Sequence, residues 1–152
     1  MKSTKRDWLN FTAGFVTATI VALSVSDATG ATHRDIVAST LILEAGGEYT
    51  KGAMESVHEV IYNRSMKRNK SMSAVCLQAW QFSCWNENDV DTNIAKAQNH
   101  PRWHEAMKIV DTAQISNFTN GADHYYAEYI DEPYWASSLT RTTSIGRHIF
   151  FK

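Results

Sequence analysis

The sequence predicts a mainly α-helical domain, α+β with a small β element, behind an apolar amino-terminal segment. Three observations carry this. An uncharged run from Trp8 to Val25 follows Lys2, Lys5 and Arg6. Several later stretches repeat apolar residues at helical spacing between capping residues. From His124 onward the chain is aromatic, turn-rich and poor in helical period. The division that follows is residues 1–31 as the amino-terminal segment and 32–152 as the working domain.

Positive charge before an apolar run predicts an amino terminus held inside. The run exceeds a signal-peptide core of about 7–15 residues and just reaches the roughly 18 a spanning helix needs, so a cleaved signal and an anchor both fit. Asn10, Thr12, Gly14, Thr17, Thr19, Ser24 and Ser26 make it a weak lipid-phase segment, while small residues around Ser26, Ala28 and Gly30 permit cleavage. It resembles the signal-anchor-release segments of some phage endolysins, which hold the enzyme on the inner membrane and later let it go. Either way, the working domain is expected in the periplasm or cell wall. Cys76 and Cys84, the only cysteines, then meet an oxidising space and are expected to form a disulfide closing a short loop, with free thiols as the alternative.

Within the working domain, Thr32 is placed to cap a helix with Asp35 three residues on. Ile36, Val37, Leu41, Ile42 and Leu43 give it a broad apolar face until Gly46-Gly47 stops it. Glu44 falls in its last turn. A second helix is expected from Thr50 through Met54, Val57, Ile61 and Tyr62 toward Arg64, with a basic end at Lys67 to Lys70. Ser71 is expected to cap a short third helix through Leu77, and Trp80 to Asn86 reads as a loop or short strand. Pro101 suits the first turn of a fourth helix carrying Trp103, Met107 and Val110, which Asn117 and Asn120-Gly121 end.

Composition narrows the function. A net charge of -1 supplies no basic field for nucleic acid. Aromatic residues make up 11% of the chain, and many after Trp80 stand in polar company, as residues lining a groove for a sugar-like ligand do. Glycoside cleavage needs a carboxylic acid that gives and takes a proton beside the scissile bond. Glu44 directly follows Leu41-Ile42-Leu43, and Gly46-Gly47 leave the backbone beside it open to a substrate. From these residues alone a helix-ending structural carboxylate fits equally, and Glu48 is the natural competitor.

Five blocks occur in order: Glu44-Ala45-Gly46-Gly47-Glu48, Asn63-Arg64, Gln81-Phe82-Ser83-Cys84-Trp85, Gly121-Ala122-Asp123-His124-Tyr125-Tyr126 and Ile145-Gly146-Arg147-His148-Ile149-Phe150-Phe151. Together they resemble the spore cortex-lytic, or cell-wall hydrolase, family from about Ile36 to the carboxyl terminus. The resemblance implies a lysozyme-like, lytic-transglycosylase-like fold, cleavage between N-acetylmuramic acid and N-acetylglucosamine in peptidoglycan strands, and a catalytic glutamate at Glu44. No cofactor, metal, nucleic-acid partner or obligate protein partner is inferred from the sequence. Gly46 departs from the pattern, since family members often carry a larger residue there, commonly arginine. Glu48, Gln81, Ser83, His124, Tyr126 and Trp135 are the candidates for holding saccharide, because sugars pair hydrogen-bonding hydroxyls with ring faces that stack on aromatics. Arg64 is expected to form a salt bridge between the first two helices.

Competing readings are weaker in the residues. His58-Glu59 lacks a second histidine where a zinc helix needs one, because Tyr62 stands there. His100 and His104 have helical spacing but no glutamate between them. No nucleophile elbow supports serine or cysteine catalysis. A muramidase or a non-catalytic wall-binding module would share most of these features. With no separate wall-binding repeat, the sequence leans toward a phage lysis enzyme acting on a thin Gram-negative wall.

Overall fold

The computed structural model describes residues 31–86 and 88–152, and the expected signal or anchor lies almost wholly outside them. Five helices precede a three-stranded sheet: α1 (His33–Ala45), α2 (Ala53–Arg68), α3 (Met72–Cys76), α4 (Val90–Gln98), α5 (Trp103–Asp111), β1 (His124–Ala127), β2 (Arg141–Ile145) and β3 (His148–Phe151). The mainly α, α+β expectation therefore holds. Among the described residues no helix is long and apolar enough to cross a membrane.

α1 is the central rod, packed by all four other helices. Ile36, Val37, Ala38, Leu41, Ile42 and Ala45 are buried, as are Ser39 and Thr40, so almost its whole circumference is enclosed. A helix surrounded in this way needs small and apolar residues on every face. Its start is the expected capping box: the Thr32 side chain accepts from the Asp35 amide, and Asp35 accepts from the Thr32 amide at 3.1 Å. Its last turn, with Glu44, emerges from this packing at the edge of the sheet.

Several element boundaries differ from expectation. α2 starts after Gly52 and not at Thr50, because the Thr50 amide and hydroxyl both donate to Glu48. Of the loop or short strand expected over 80–86, the loop is found, with a short 3-10 turn at Ser83–Trp85. α4 is a helix the periodicity did not reveal; Asp89 caps it through the Thr92 amide, and it buries only Asn93, Ile94 and Ala97. α5 starts at Trp103, with Pro101 in the turn before it.

The sheet order is β1-β3-β2, antiparallel throughout. β2 and β3 join through Gly146-Arg147, with Gly146 at φ +55, where a side chain is strained. A Cβ there would also lie 2.5 Å from the Glu48 carboxylate, so the turn needs glycine twice over. On one sheet face Tyr125 packs against His148 and Phe150, with centroids 5.1 and 5.6 Å away. On the other, Tyr126 stacks on Phe151 at 5.7 Å, and Trp135 covers both edge-on.

Candidate functional site

All five sequence blocks are joined by hydrogen bonds behind or around Glu44. On α2, Asn63 donates to the Ala122 carbonyl at 2.8 Å, while Arg64 donates to the carbonyls of Asp123 at 2.7 Å and Gln81 at 3.3 Å. The Arg64 guanidinium also lies over the buried Phe82 ring at 5.1 Å. The expected salt bridge from Arg64 is thus replaced by bonds to backbone carbonyls, which tie α2 to the two segments flanking the cleft. Trp85 donates to Thr40 on α1 at 3.1 Å, and buried Asn93 on α4 donates to the Cys84 carbonyl at 2.6 Å. This fixes the 3-10 turn against the end of α1.

Glu44 is half-buried at the meeting point of two cavities. One, of about 450 Å³, runs between Gly47, Glu48, Tyr49 and Arg147. The other, of about 440 Å³, is lined by residues that include Trp80, Gln81, Ser83, Tyr126 and Trp135. Glu44, Tyr129 and His148 belong to both. The Tyr125 hydroxyl donates to Glu44 Oε2 at 2.7 Å. Burial, and then the Glu44 charge, hold that hydroxyl well above its ordinary pKa, so it stays a neutral donor. α1 has no basic residue in its last turn, so the helix end offers Glu44 no compensating cation.

His148 walls the site beside Glu44. Burial lowers its pKa, opposed by the charges of Glu44 and Glu48, and its Nδ1 has no hydrogen-bond partner among the described residues. Glu48 is committed elsewhere: it accepts from the Thr50 amide and hydroxyl and from the Arg147 amide, bonds that keep its pKa low. It therefore braces the turn after α1 against the β2–β3 turn while lining one cavity.

The expected disulfide is not present: Cys76 and Cys84 are free thiols. Burial pushes the Cys76 thiol up to about 12. Burial, followed by the Glu44 charge, raises the Cys84 thiol further. Two neutral thiols, Cys76 buried and Cys84 half-buried, are poor candidates for oxidation.

The cleft gathers Glu44, Glu48, Gln81, Ser83, Tyr126 and Trp135 as the sequence suggested. The Gln81 side chain is engaged by Arg68 at 2.6 Å. His124 lies outside both linings: its Nδ1 is 2.6 Å from Asp123, and its ring packs on Trp135 at 5.2 Å. Its place is behind the wall. Sequence reasoning missed Tyr125, Tyr129, His148, Tyr49 and Trp80. For Tyr125 and His148 the available signal was their presence in the ordered blocks; the others carried only their aromatic character. Among the described residues no three of His, Cys, Asp and Glu are grouped to hold a metal ion.

The profile of the cell wall hydrolase family matches residues 47–151, beginning three residues after Glu44. No curated protein and no solved structure matches the chain. With well over half its length matched, the chain belongs to the cell wall hydrolase family and is an enzyme that acts on peptidoglycan.

Proposed function

We propose that the enzyme is a lytic transglycosylase that cuts the bond between N-acetylmuramic acid and N-acetylglucosamine with Glu44 as both acid and base. Glu44 protonates the glycosidic oxygen as the C1–O bond breaks. The resulting carboxylate then takes the proton from the muramic acid 6-hydroxyl, whose oxygen closes on C1 to give the anhydro end. Tyr125 holds Oε2 throughout and so fixes the carboxyl plane.

One observation carries this reading: Glu44 stands where the two cavities meet, and among the described residues the other carboxylate lining them, Glu48, is tied to Thr50 and Arg147. Hydrolytic glycosidases use a second free carboxylate to activate water or attack C1, and intramolecular attack needs none. Muropeptide analysis of digested sacculi tests it. Anhydro ends are expected; reducing ends would make the enzyme a muramidase, free stem peptides an amidase, and intact sacculi retaining the protein a wall-binding module.

The setting proposed is export to the periplasm for phage-mediated lysis, with the amino-terminal segment as a releasable anchor. Leucine, isoleucine, valine and phenylalanine each favour insertion by only about 0.3–0.6 kcal/mol, and Asn10, the threonines and Gly14 oppose them, so membrane potential can tip the balance. The full-length chain should fractionate with membranes in energised cells and become soluble, uncut, on depolarisation. A shortened soluble product beginning near Thr29 or Ala31 before depolarisation would make the segment a cleaved signal.

A further inference from the structure

Two exposed aromatics stand on opposite sides of Glu44, and each is held where it is at a cost or by a dedicated brace. Trp80 is 83% exposed and has φ +65, a left-handed conformation that a bulky side chain rarely adopts. Burial of its ring does not compensate for that strain. Its neighbours impose it: Arg64 and Arg68 grip Gln81, and Phe82 is buried at 2% exposure. Backbone strain kept at an exposed aromatic beside a cleft is the kind that function maintains.

Tyr49 lines the other cavity and is 77% exposed. Its ring lies 5.2 Å from the Arg102 guanidinium. Arg102 is itself fixed by two bonds of 2.7 Å to Glu105 and by donation to the carbonyls of Gly46 and Glu48. The tyrosine is therefore presented on a rigid support.

Resting on the glycan-cleaving reading above, we propose that Trp80 and Tyr49 are sugar-stacking platforms on either side of the scissile bond, and that the enzyme cuts within glycan strands instead of trimming their ends. A pyranose ring offers an apolar face to an aromatic side chain and hydroxyls to its polar neighbours. Gln81 and Ser83 lie beside Trp80, and Glu48 and Arg147 beside Tyr49, so each cavity pairs an aromatic with polar groups. A strand occupying both cavities at once runs past Glu44 in both directions, which places the cleaved bond in mid-strand.

The test is a time course of product lengths from purified, uncrosslinked glycan strands with the full chain. Strand fragments of intermediate length should appear before disaccharides. Trp80→Gly and Tyr49→Ala should each raise KM for strands about fivefold with kcat nearly unchanged, since uniform binding is what a platform supplies. Trp80→Gly should also melt no lower than the wild type, because glycine accepts the positive φ without strain. Disaccharides as the first and only products would overturn the mid-strand inference alone. Wild-type KM in both variants, or a loss that follows a lowered melting temperature, would overturn the platform role. If the wild type creates no new glycan ends, the glycan-cleaving reading itself falls.

Discussion

Two glutamates on adjacent helices, Glu59 on α2 and Glu44 on α1, have opposite surroundings. Glu59 is 2% exposed and accepts from the Thr119 amide at 3.0 Å, the Thr119 hydroxyl at 2.5 Å, the Gly121 amide at 3.3 Å and the Ser116 hydroxyl at 3.4 Å. Its lone pairs are used up in holding the loop that leads into β1. Glu44 receives the Tyr125 hydroxyl, a neutral donor, and otherwise faces the cleft. A carboxylate saturated by backbone amides is a structural fastener, whereas one left with free lone pairs beside a cavity is available for proton transfer.

The largest expected effect breaks the Glu44 side of this comparison. Glu44→Gln keeps the shape of the side chain and can still accept from Tyr125, but it cannot exchange the proton, so lytic activity should fall at least about 100-fold with the melting temperature unchanged. Clearing of permeabilised Gram-negative cells at near the wild-type rate would remove Glu44 from the mechanism. Glu59→Ala should do the reverse. It strands the buried amide and hydroxyl of Thr119, and a loss of about 2–3 kcal/mol in urea unfolding is expected, with activity per folded molecule close to wild type. A stable but inactive Glu59→Ala protein would mean that the two carboxylates do not divide the work in this way.

A smaller effect concerns pH. Burial lowers the pKa of both His148 and His58 from 6.5. The folded protein thus binds these protons more weakly than the unfolded chain does. Their contribution to stability is complete above about pH 6.5 and is lost as pH falls through the lower folded values. Glu48, Glu105 and Asp123, whose folded pKa values are depressed, contribute in the same sense, but only below their ordinary 3.8 to 4.5. Melting temperature should therefore drop between pH 7 and pH 5, and His148→Gln should flatten part of that slope. An unaltered slope would show that His148 titrates as it does in the unfolded chain.

The smallest expected effect is that of Glu48→Gln. The amide oxygen can still accept from Thr50 or Arg147, and the side chain is solvated, so activity should decline less than tenfold. A loss matching that of Glu44→Gln, measured in the same clearing assay, would make Glu48 a second participating carboxylate and favour water attack over intramolecular closure.

Much of this architecture was legible in the residues. The capping box at Thr32 and Asp35, the broad apolar face of α1 and the glycines after it placed Glu44 in the last turn of a helix; of those glycines Gly47 is exposed while Gly46 is buried. Other elements were not legible, for local reasons. α4 buries too few apolar residues to give a clear period, and Thr50 lost its capping role to Glu48. The disulfide expectation rested on compartment and spacing, which carry no information about the burial that keeps both thiols neutral.

What the sequence determined by itself was the family, the helical framework and a short set of polar and aromatic residues from which the site is drawn. Tertiary structure decided the role of each. In β1, side chains alternate between the two sheet faces, so Tyr125 meets Glu44 while His124 and Tyr126 turn toward Trp135. Nothing local distinguishes two adjacent tyrosines; only the pairing of β1 with β3 and the packing of that sheet against α1 and α2 fix which of them holds the carboxylate.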